Sequence, residues 1–351
     1  MRILVITATY HPAINPNVFR WSAIAAQWVA QGREVHVLCT RRSGSADQEN
    51  IDGVRVHRSG QNSLLDWLYN LWGARQRRGE AGGDHPARLG SLRRLLEKLV
   101  DLTWRCLYWP DGRCLWYLPG KRKALALQRE QPFDMVFSVG IPFTAHLIAG
   151  ALKRRYPGVR WVMDIEDPFC FSEEFFVNNS RLYRRLNYRA ESRMLRLADA
   201  VTVTVEQARR RYLELFPWLD GKISVAPPVF SMPEIEPLEK RQPDNKLHLA
   251  YFGAFYRRIR TPDALLAIFD KLLELFPEWR ERLMLHFYGE IAPFFLPAFH
   301  RYPRLKGVLQ LHGLLPREAV ARAMAQSDIL INVSNTTTYH LPSKCVDYLA
   351  S

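Results

Sequence analysis

The chain has 351 residues, 48% of them hydrophobic and 24% charged, the proportions of an ordinary globular protein and enough for two domains. Its 49 Lys and Arg outweigh 35 Asp and Glu to leave a formal net charge of +14, a field that attracts nucleic acid, acidic lipid head groups or phosphorylated substrates. The five cysteines (Cys39, Cys106, Cys114, Cys170 and Cys345) are scattered without a CxxC pair, which argues against a disulfide framework or zinc site and fits a reducing cytoplasm, and no uninterrupted apolar window predicts a transmembrane helix.

In chain order, Ile3 to Ile6 reads as a buried parallel strand, too short an apolar run for a signal peptide. The polar loop Tyr10-His11-Pro12-Ala13-Ile14-Asn15-Pro16-Asn17 follows. An amphipathic helix is predicted from Val18 to Ala30, stopped by Gln31-Gly32, and then a strand from Glu34 to Cys39. This βαβ opening implies a parallel sheet with right-handed crossovers. Residues 61–122 form an insert in that rhythm. It carries Trp67, Trp72, Trp104, Trp109 and Trp116 interleaved with arginines, among them Arg75, Arg77, Arg78, Arg93 and Arg94. That mixture suits an interfacial helix on an anionic membrane, or alternatively tryptophans packed in a core with arginines outside.

The strand and helix alternation then resumes. Strands are predicted at Met135 to Val139, Trp161 to Asp164, Ala200 to Thr204 and Ile223 to Val225, with helices at Pro142 to Lys153 and at the arginine-rich Arg181 to Leu197. Residues 227–246 hold a cluster of prolines and read as a stiff linker. A second α/β series begins at 247. Its strands are Leu247 to Phe252, Met284 to Tyr288, Leu309 to His312 and Ile329 to Val333, and its helices are Pro262 to Phe276 and Arg317 to Gln326. The expectation is an α/β protein of two Rossmann-like domains, 1–226 and 247–351, with ligands beyond the carboxyl ends of the strands.

Gly253, Gly289 and Gly313 follow three strands of the second series, and Pro342-Ser343-Lys344 stands where a helix is predicted to start. Free N–H groups and the positive end of a helix dipole make such a start a phosphate site, with Ser343 as a further donor and Lys344 as a point charge. Asp347 and Tyr348 lie one turn later, where a carboxylate can accept from ribose hydroxyls. In the loop after Gly253, Arg257, Arg258 and Arg260 offer guanidinium groups that grip phosphate oxygens in pairs.

Together these residues resemble the GT-B glycosyltransferases, and specifically the large retaining family four. Leu341-Pro342-Ser343-Lys344-Cys345-Val346-Asp347-Tyr348 resembles that family's Pro-x-Lys-x-x-Glu-Tyr, with Asp347 in place of glutamate. Gly253-Ala254-Phe255-Tyr256-Arg257-Arg258-Ile259-Arg260 resembles its phosphate loop, Ser138-Val139-Gly140-Ile141-Pro142-Phe143 its Ser-Ser-x-Pro-Pro-x turn, and Asp164-Ile165-Glu166-Asp167-Pro168-Phe169 its Asp-x-Arg-Asp-Pro-Trp turn. Tyr339 stands where the family has an earlier glutamate, and Asn15-Pro16-Asn17 where its first loop has Gly-Gly. The chain ends at Ser351, just inside the helix expected after the phosphate site, which reads as a truncated second domain.

The resemblance implies two domains facing a cleft and transfer of a sugar from a nucleoside-diphosphate sugar to an acceptor hydroxyl, with retention, in bacterial cell-surface polysaccharide or glycolipid synthesis. It implies that Gly253, Arg258, Arg260, Ser343 and Lys344 hold the donor diphosphate and that Asp347 holds the ribose of a UDP- or GDP-type donor. Asp164 and Asp167 are the expected catalytic carboxylates, with Asn15, Asn17 and Glu166 facing a glycan or lipid-linked acceptor. Neither a metal nor another cofactor is expected. The place expected for the protein is the cytoplasm or the inner face of the membrane, with no nucleic-acid partner. Competing readings are a non-catalytic nucleotide-sugar or nucleic-acid-binding protein and a nucleotide-sugar epimerase of the same fold, which would need an acid–base pair of carboxylates or histidines at the sugar; His286 and His312 lie at strand positions, where packed core histidines are commoner than catalytic ones.

Overall fold

A computed structural model describes residues 1–13, 15–41, 45–61, 103, 107–172, 177–227, 244–256, 260–333 and 348. The chain divides into two compact units, Met1–Pro227 and Pro228–Ser351.

The first unit is built on an eight-stranded sheet. Its strands are β1 (Arg2–Ile6), β2 (Glu34–Arg41), β3 (Gln48–Ile51), β4 (Val54–Gln61), β5 (Met135–Gly140), β6 (Arg160–Ile165), β7 (Ala200–Val203) and β8 (Ile223–Val225), in the order β3-β4-β2-β1-β5-β6-β7-β8. Every neighbouring pair is parallel except β3 with β4. The central strand β1 is apolar along its length because both of its faces are covered: Ile3, Leu4, Val5 and Ile6 are fully buried. Helices α1 (Pro16–Ala30), α2 (Tyr117–Glu130), α3 (Phe143–Arg155), α4 (Ser180–Leu197) and α5 (Glu206–Leu215) supply the cover. Trp21 and Ala25 of α1 close one core with Val5, Val37 and Val139, and Trp21 and Trp28 both pack on Phe137.

Two features depart from the pattern read along the chain. The β3–β4 hairpin occupies a stretch with no strand assigned in the sequence, although its turn chemistry is there. Asp52 and Gly53, at φ +51° and +83°, form the two-residue loop between antiparallel strands that an Asp-Gly pair favours. The 61–122 insert must also be narrowed, because its last part belongs to the core. Trp116 is fully buried, lies against Gly60 and Gly120, and hydrogen-bonds Ser59 at 3.4 Å, while α2 packs against α3 and β4. A tryptophan amid basic residues looks interfacial in sequence, but two glycines supply the notch that takes this indole inside. Trp67, Trp72 and Trp104 lie outside the described residues.

The second unit holds a parallel sheet in the order β11-β10-β9-β12, formed by β9 (Leu247–Phe252), β10 (Leu283–Tyr288), β11 (Leu309–Gly313) and β12 (Ile329–Leu330). Helix α6 (Asp263–Leu275) and the short α7 (Leu296–His300) cover one face, where Tyr251, Leu266, Leu285, Phe287 and Phe299 are buried together. Helix α8 (Arg317–Ala325) brings Met324 to Ala250 and Phe252 in a smaller cluster. Among the described residues no helix is long and apolar enough to cross a membrane.

Candidate functional site

In the first unit, functional groups gather at the carboxyl ends of β6 and β7 beside α1. Asn15 caps α1: its Oδ1 accepts from the Val18 N–H at 2.9 Å, and its Nδ2 donates to Thr9 Oγ1 at 3.3 Å. The cap sets the phase of the helix and turns Arg20, 4% exposed, toward the sheet. Arg20 Nη1 donates to Asp164 Oδ2 at 2.6 Å and Nη2 to Oδ1 at 3.1 Å, a bidentate pair. The same guanidinium reaches Glu166 Oε1 at 3.1 Å and the Ala226 carbonyl at 3.2 Å, and Thr202 Oγ1 donates to Asp164 Oδ1 at 2.6 Å. Two buried charges at this depth cost several kcal/mol each to desolvate, and only such dense pairing offsets it.

Of the expected catalytic carboxylates, Asp164 is therefore committed to Arg20, while Asp167 is half-buried two residues past the end of β6. Glu166 keeps 18% of its side chain exposed. Burial and the neighbouring carboxylates Asp164 and Asp167 hold its carboxyl well above the usual range, against the pull of Arg20. Asn17 Oδ1 is buried with no hydrogen-bond partner among the described residues. Arg20 is the cation with which Asp164 and Glu166 pair, and among the described residues no group of three His, Cys, Asp or Glu side chains is spaced to hold a metal ion.

The two turns read separately in the sequence meet in space. The Glu166 N–H donates to the Gly140 carbonyl at 3.1 Å, and Phe143 stacks on Phe169 with ring centroids 3.9 Å apart. His146 supports the first turn by pairing its Nδ1 with Ser138 Oγ at 2.7 Å, while Trp161 Nε1 donates to the same oxygen at 2.8 Å. The ring of His146 lies directly on Gly140, where a β-carbon would collide with it. Sequence reasoning missed two further supports. Asp111, fully buried, accepts from the Thr144 N–H at 2.8 Å and so caps α3. Glu191 accepts from the Cys170 N–H at 2.8 Å and the Tyr212 hydroxyl at 2.6 Å, anchoring the chain just after Phe169. The spacing of Glu191 with Asn187, Met194 and Leu195 on the inward stripe of α4 was the available signal.

In the second unit, Gly253 and Gly289 follow β9 and β10 and Gly313 closes β11, at φ +153°, +130° and +71°, conformations open to glycine. The Gly253 N–H donates to the Tyr288 carbonyl and the Gly289 N–H to the Gly313 carbonyl, each at 2.7 Å, and a β-carbon on Gly289 would run into the Gly253 carbonyl. Tyr256 and Arg260 exchange backbone hydrogen bonds at 2.7 and 3.1 Å, which folds the loop back so that Arg260 Nη1 reaches the Tyr251 hydroxyl at 3.4 Å. Arg258, Ser343, Lys344 and Asp347 lie outside the described residues. Tyr348, the last residue of the Pro-Ser-Lys-x-x-Asp-Tyr run, is described. Its hydroxyl accepts from the Phe252 N–H at 3.0 Å, one residue before Gly253. Thus Gly253, and Tyr348 from the end of the later run, lie at the carboxyl end of β9.

His286 and His312, the alternative acid–base candidates, are bonded to each other at 2.9 Å, and His286 also pairs with His248 at 2.8 Å. This chain crosses the strands and ends at Asp244, 3.0 Å from His248 Nε2.

Two Rossmann-like parallel sheets in succession, each with polar groups collected at its strand ends, define the GT-B class of glycosyltransferase fold. The chain belongs to the glycosyl transferase 4-like domain family, which it matches over residues 19–228. The solved structures that it resembles include the catalytic domain of starch synthase IV from Arabidopsis thaliana bound to ADP and acarbose, at 9% identity and a TM-score of 0.60, covering 98% of this chain and 80% of that one. They also include the N-terminal domain of Candida albicans trehalose-6-phosphate phosphatase, at 12% identity and a TM-score of 0.56, covering 96% and 78%. A third is the alpha,alpha-trehalose 6-phosphate synthase of Burkholderia multivorans, at 13% identity and a TM-score of 0.52, covering 94% and 75%. At such identities the likeness is one of fold. No curated protein matches the sequence.

Proposed function

We propose that the protein transfers a sugar from a nucleoside-diphosphate sugar of the UDP or GDP type to an acceptor hydroxyl, with retention, on a glycan or lipid-linked acceptor of a bacterial cell surface. The observation that carries this reading is the buried Arg20–Asp164–Glu166 cluster at the strand ends of a unit that belongs to a glycosyltransferase family. Lys344, Ser343, Arg258 and Arg260, with the backbone at Gly253, neutralise the diphosphate, and Asp347 accepts from the ribose. As the bond from the anomeric carbon to the diphosphate oxygen breaks, its electron pair leaves with the diphosphate, and these donors stabilise the charge that develops there. The acceptor oxygen forms the new bond to that carbon, and its proton leaves with the departing phosphate. Asp167, Glu166 and Asn17 orient the acceptor. Asp164 acts through Arg20 and is a positioning residue, and Asn15 positions the helix that carries Arg20. The reaction proceeds without a metal, since the guanidinium and ammonium groups carry the countercharge.

A thermal-shift screen with UDP-, GDP-, ADP- and CMP-sugars tests the donor claim. A UDP- or GDP-sugar should raise the melting temperature, and Lys344→Ala should abolish the shift. No shift with any donor, or one that Lys344→Ala leaves intact, would overturn it. Release of free nucleotide only in the presence of acceptor separates transfer from epimerisation.

A further inference from the structure

Helix α4 carries six arginines and a single carboxylate, Glu191. That carboxylate is buried and turned inward to the Tyr212 hydroxyl and the Cys170 N–H, so it does not face the arginines. Arg181, Arg184, Arg185 and Arg189 recur at the spacing of one helix face and line a groove of about 910 Å³ on the first unit. Arg211 of α5 forms the opposite wall, and Phe171 and Leu215 add apolar lining. Among the described residues no carboxylate pairs with the four α4 arginines; Glu173 and Glu174 lie outside those residues. Beside the arginines the helix exposes apolar side chains: Leu182 is 62% and Leu186 43% exposed. Leu107, 64% exposed, is tied to the same turn, because the Tyr183 hydroxyl donates to its carbonyl at 2.8 Å.

From this juxtaposition we infer that the α4–α5 face docks on an anionic phospholipid surface. The arginine groove seats lipid phosphates, while Leu107, Leu182 and Leu186 enter the headgroup boundary. Guanidinium groups match phosphate oxygens in bidentate fashion and lose less hydration than ammonium groups. Leucines alternating with arginines on an exposed helix match a surface that is charged outside and apolar a few ångströms deeper. A nucleic acid would use the arginines but leave the leucines in water, and the ring of Tyr188, which could stack on a base, is already stacked on Phe216 with centroids 5.0 Å apart. Trp109 holds α4 from its buried side, where its Nε1 donates to Asn187 Oδ1 at 3.0 Å and leaves the arginine face outward. The inference stands on the first unit alone and survives failure of the donor assay.

Co-sedimentation of the full chain with phosphatidylcholine vesicles, with and without phosphatidylglycerol, tests it. Binding should require the anionic lipid and weaken as salt is raised. Each arginine near such a surface is worth roughly fivefold in partitioning, so R184Q/R185Q/R189Q should lose on the order of a hundredfold. L182S/L186S should also weaken binding, and both variants should melt as the parent chain does, since the altered side chains are exposed. Equal binding to neutral and anionic vesicles, unchanged partitioning of the triple arginine variant, or unchanged vesicle binding by L182S/L186S would overturn it.

Discussion

Arg20 shows how one side chain organises the candidate site. Alone, a guanidinium at 4% exposure would be intolerable. Its four acceptors (both Asp164 oxygens, Glu166 and the Ala226 carbonyl) make the position stable and bind α1, β6 and the end of the first unit to one another. Removing one partner from such a pair leaves a buried uncompensated charge, so Arg20→Gln should cost about 3–5 kcal/mol in urea denaturation. Adding Asp164→Asn should recover part of that loss; a double variant as unstable as the sum of the singles would show that the pair is not coupled. Glu166 titrates above the ordinary carboxylate range. Activity that depends on its ionised form should therefore rise with pH through a higher value than an exposed glutamate gives. Glu166→Gln should remove that limb from the pH profile of kcat/KM.

At the scale of elements, the strand ends are held by turns that tolerate little. Gly289 and Gly307 both have positive φ, +130° and +87°, but Gly307 has open space around it whereas Gly289 sits on the Gly253 carbonyl. Gly307→Ala should then cost only the conformational strain, roughly 1–2 kcal/mol. Gly289→Ala must also push apart the turns after β9 and β10. A larger loss of melting temperature is expected for it, together with weakened nucleotide-sugar binding, whereas Gly307→Ala should leave that binding unchanged. In the first unit the equivalent support comes from side chains. Asp111 caps α3, Glu191 holds the chain after Phe169, and the Phe143–Phe169 stack joins the two turns.

For the whole molecule, buried histidines set the response to acid. Burial lowers His146 to about 3 and His57 to about 4, each from an ordinary value near 6.5. The folded chain keeps both neutral, while the unfolded chain takes up protons below about pH 6.5. Stability therefore falls as pH drops from about 6.5 toward 4, at about 1.4 kcal/mol per pH unit for each histidine. Asp111, Glu166 and Glu191 pull the other way, since burial raises their pKa values and the folded chain holds their protons longer. Between pH 7 and pH 4.5, His146→Gln should lose less melting temperature on acidification than the parent chain, because it removes one of the groups that destabilise the fold in acid. A slope unchanged in that variant would mean that His146 is not the titrating group.

The alternation of apolar strands and amphipathic helices, with its prolines, glycines and Pro-Ser-Lys-x-x-Asp-Tyr run, carried the α/β class and the two-part organisation. Periodicity and turn chemistry are local properties, and they are written in the order of residues. Strand β1 was legible for that reason, as were the turns at Ser138–Phe143 and Asp164–Phe169. The Asp-Gly hairpin of β3 and β4 was equally local, yet β3 has only four residues and both strands are mixed in polarity, so their pattern did not stand out. What only the tertiary structure decided is which distant groups share a buried space. Arg20 and Asp164 are 144 positions apart, and no local pattern pairs them. Trp116 went inside because Gly60 and Gly120 make room for it, and among the described residues Arg181, Arg184, Arg185 and Arg189 meet no carboxylate because their helix's one acidic side chain, Glu191, turned inward. Desolvation decides such matters, and it depends on everything that packs around a group and so cannot be read from its neighbours in the chain.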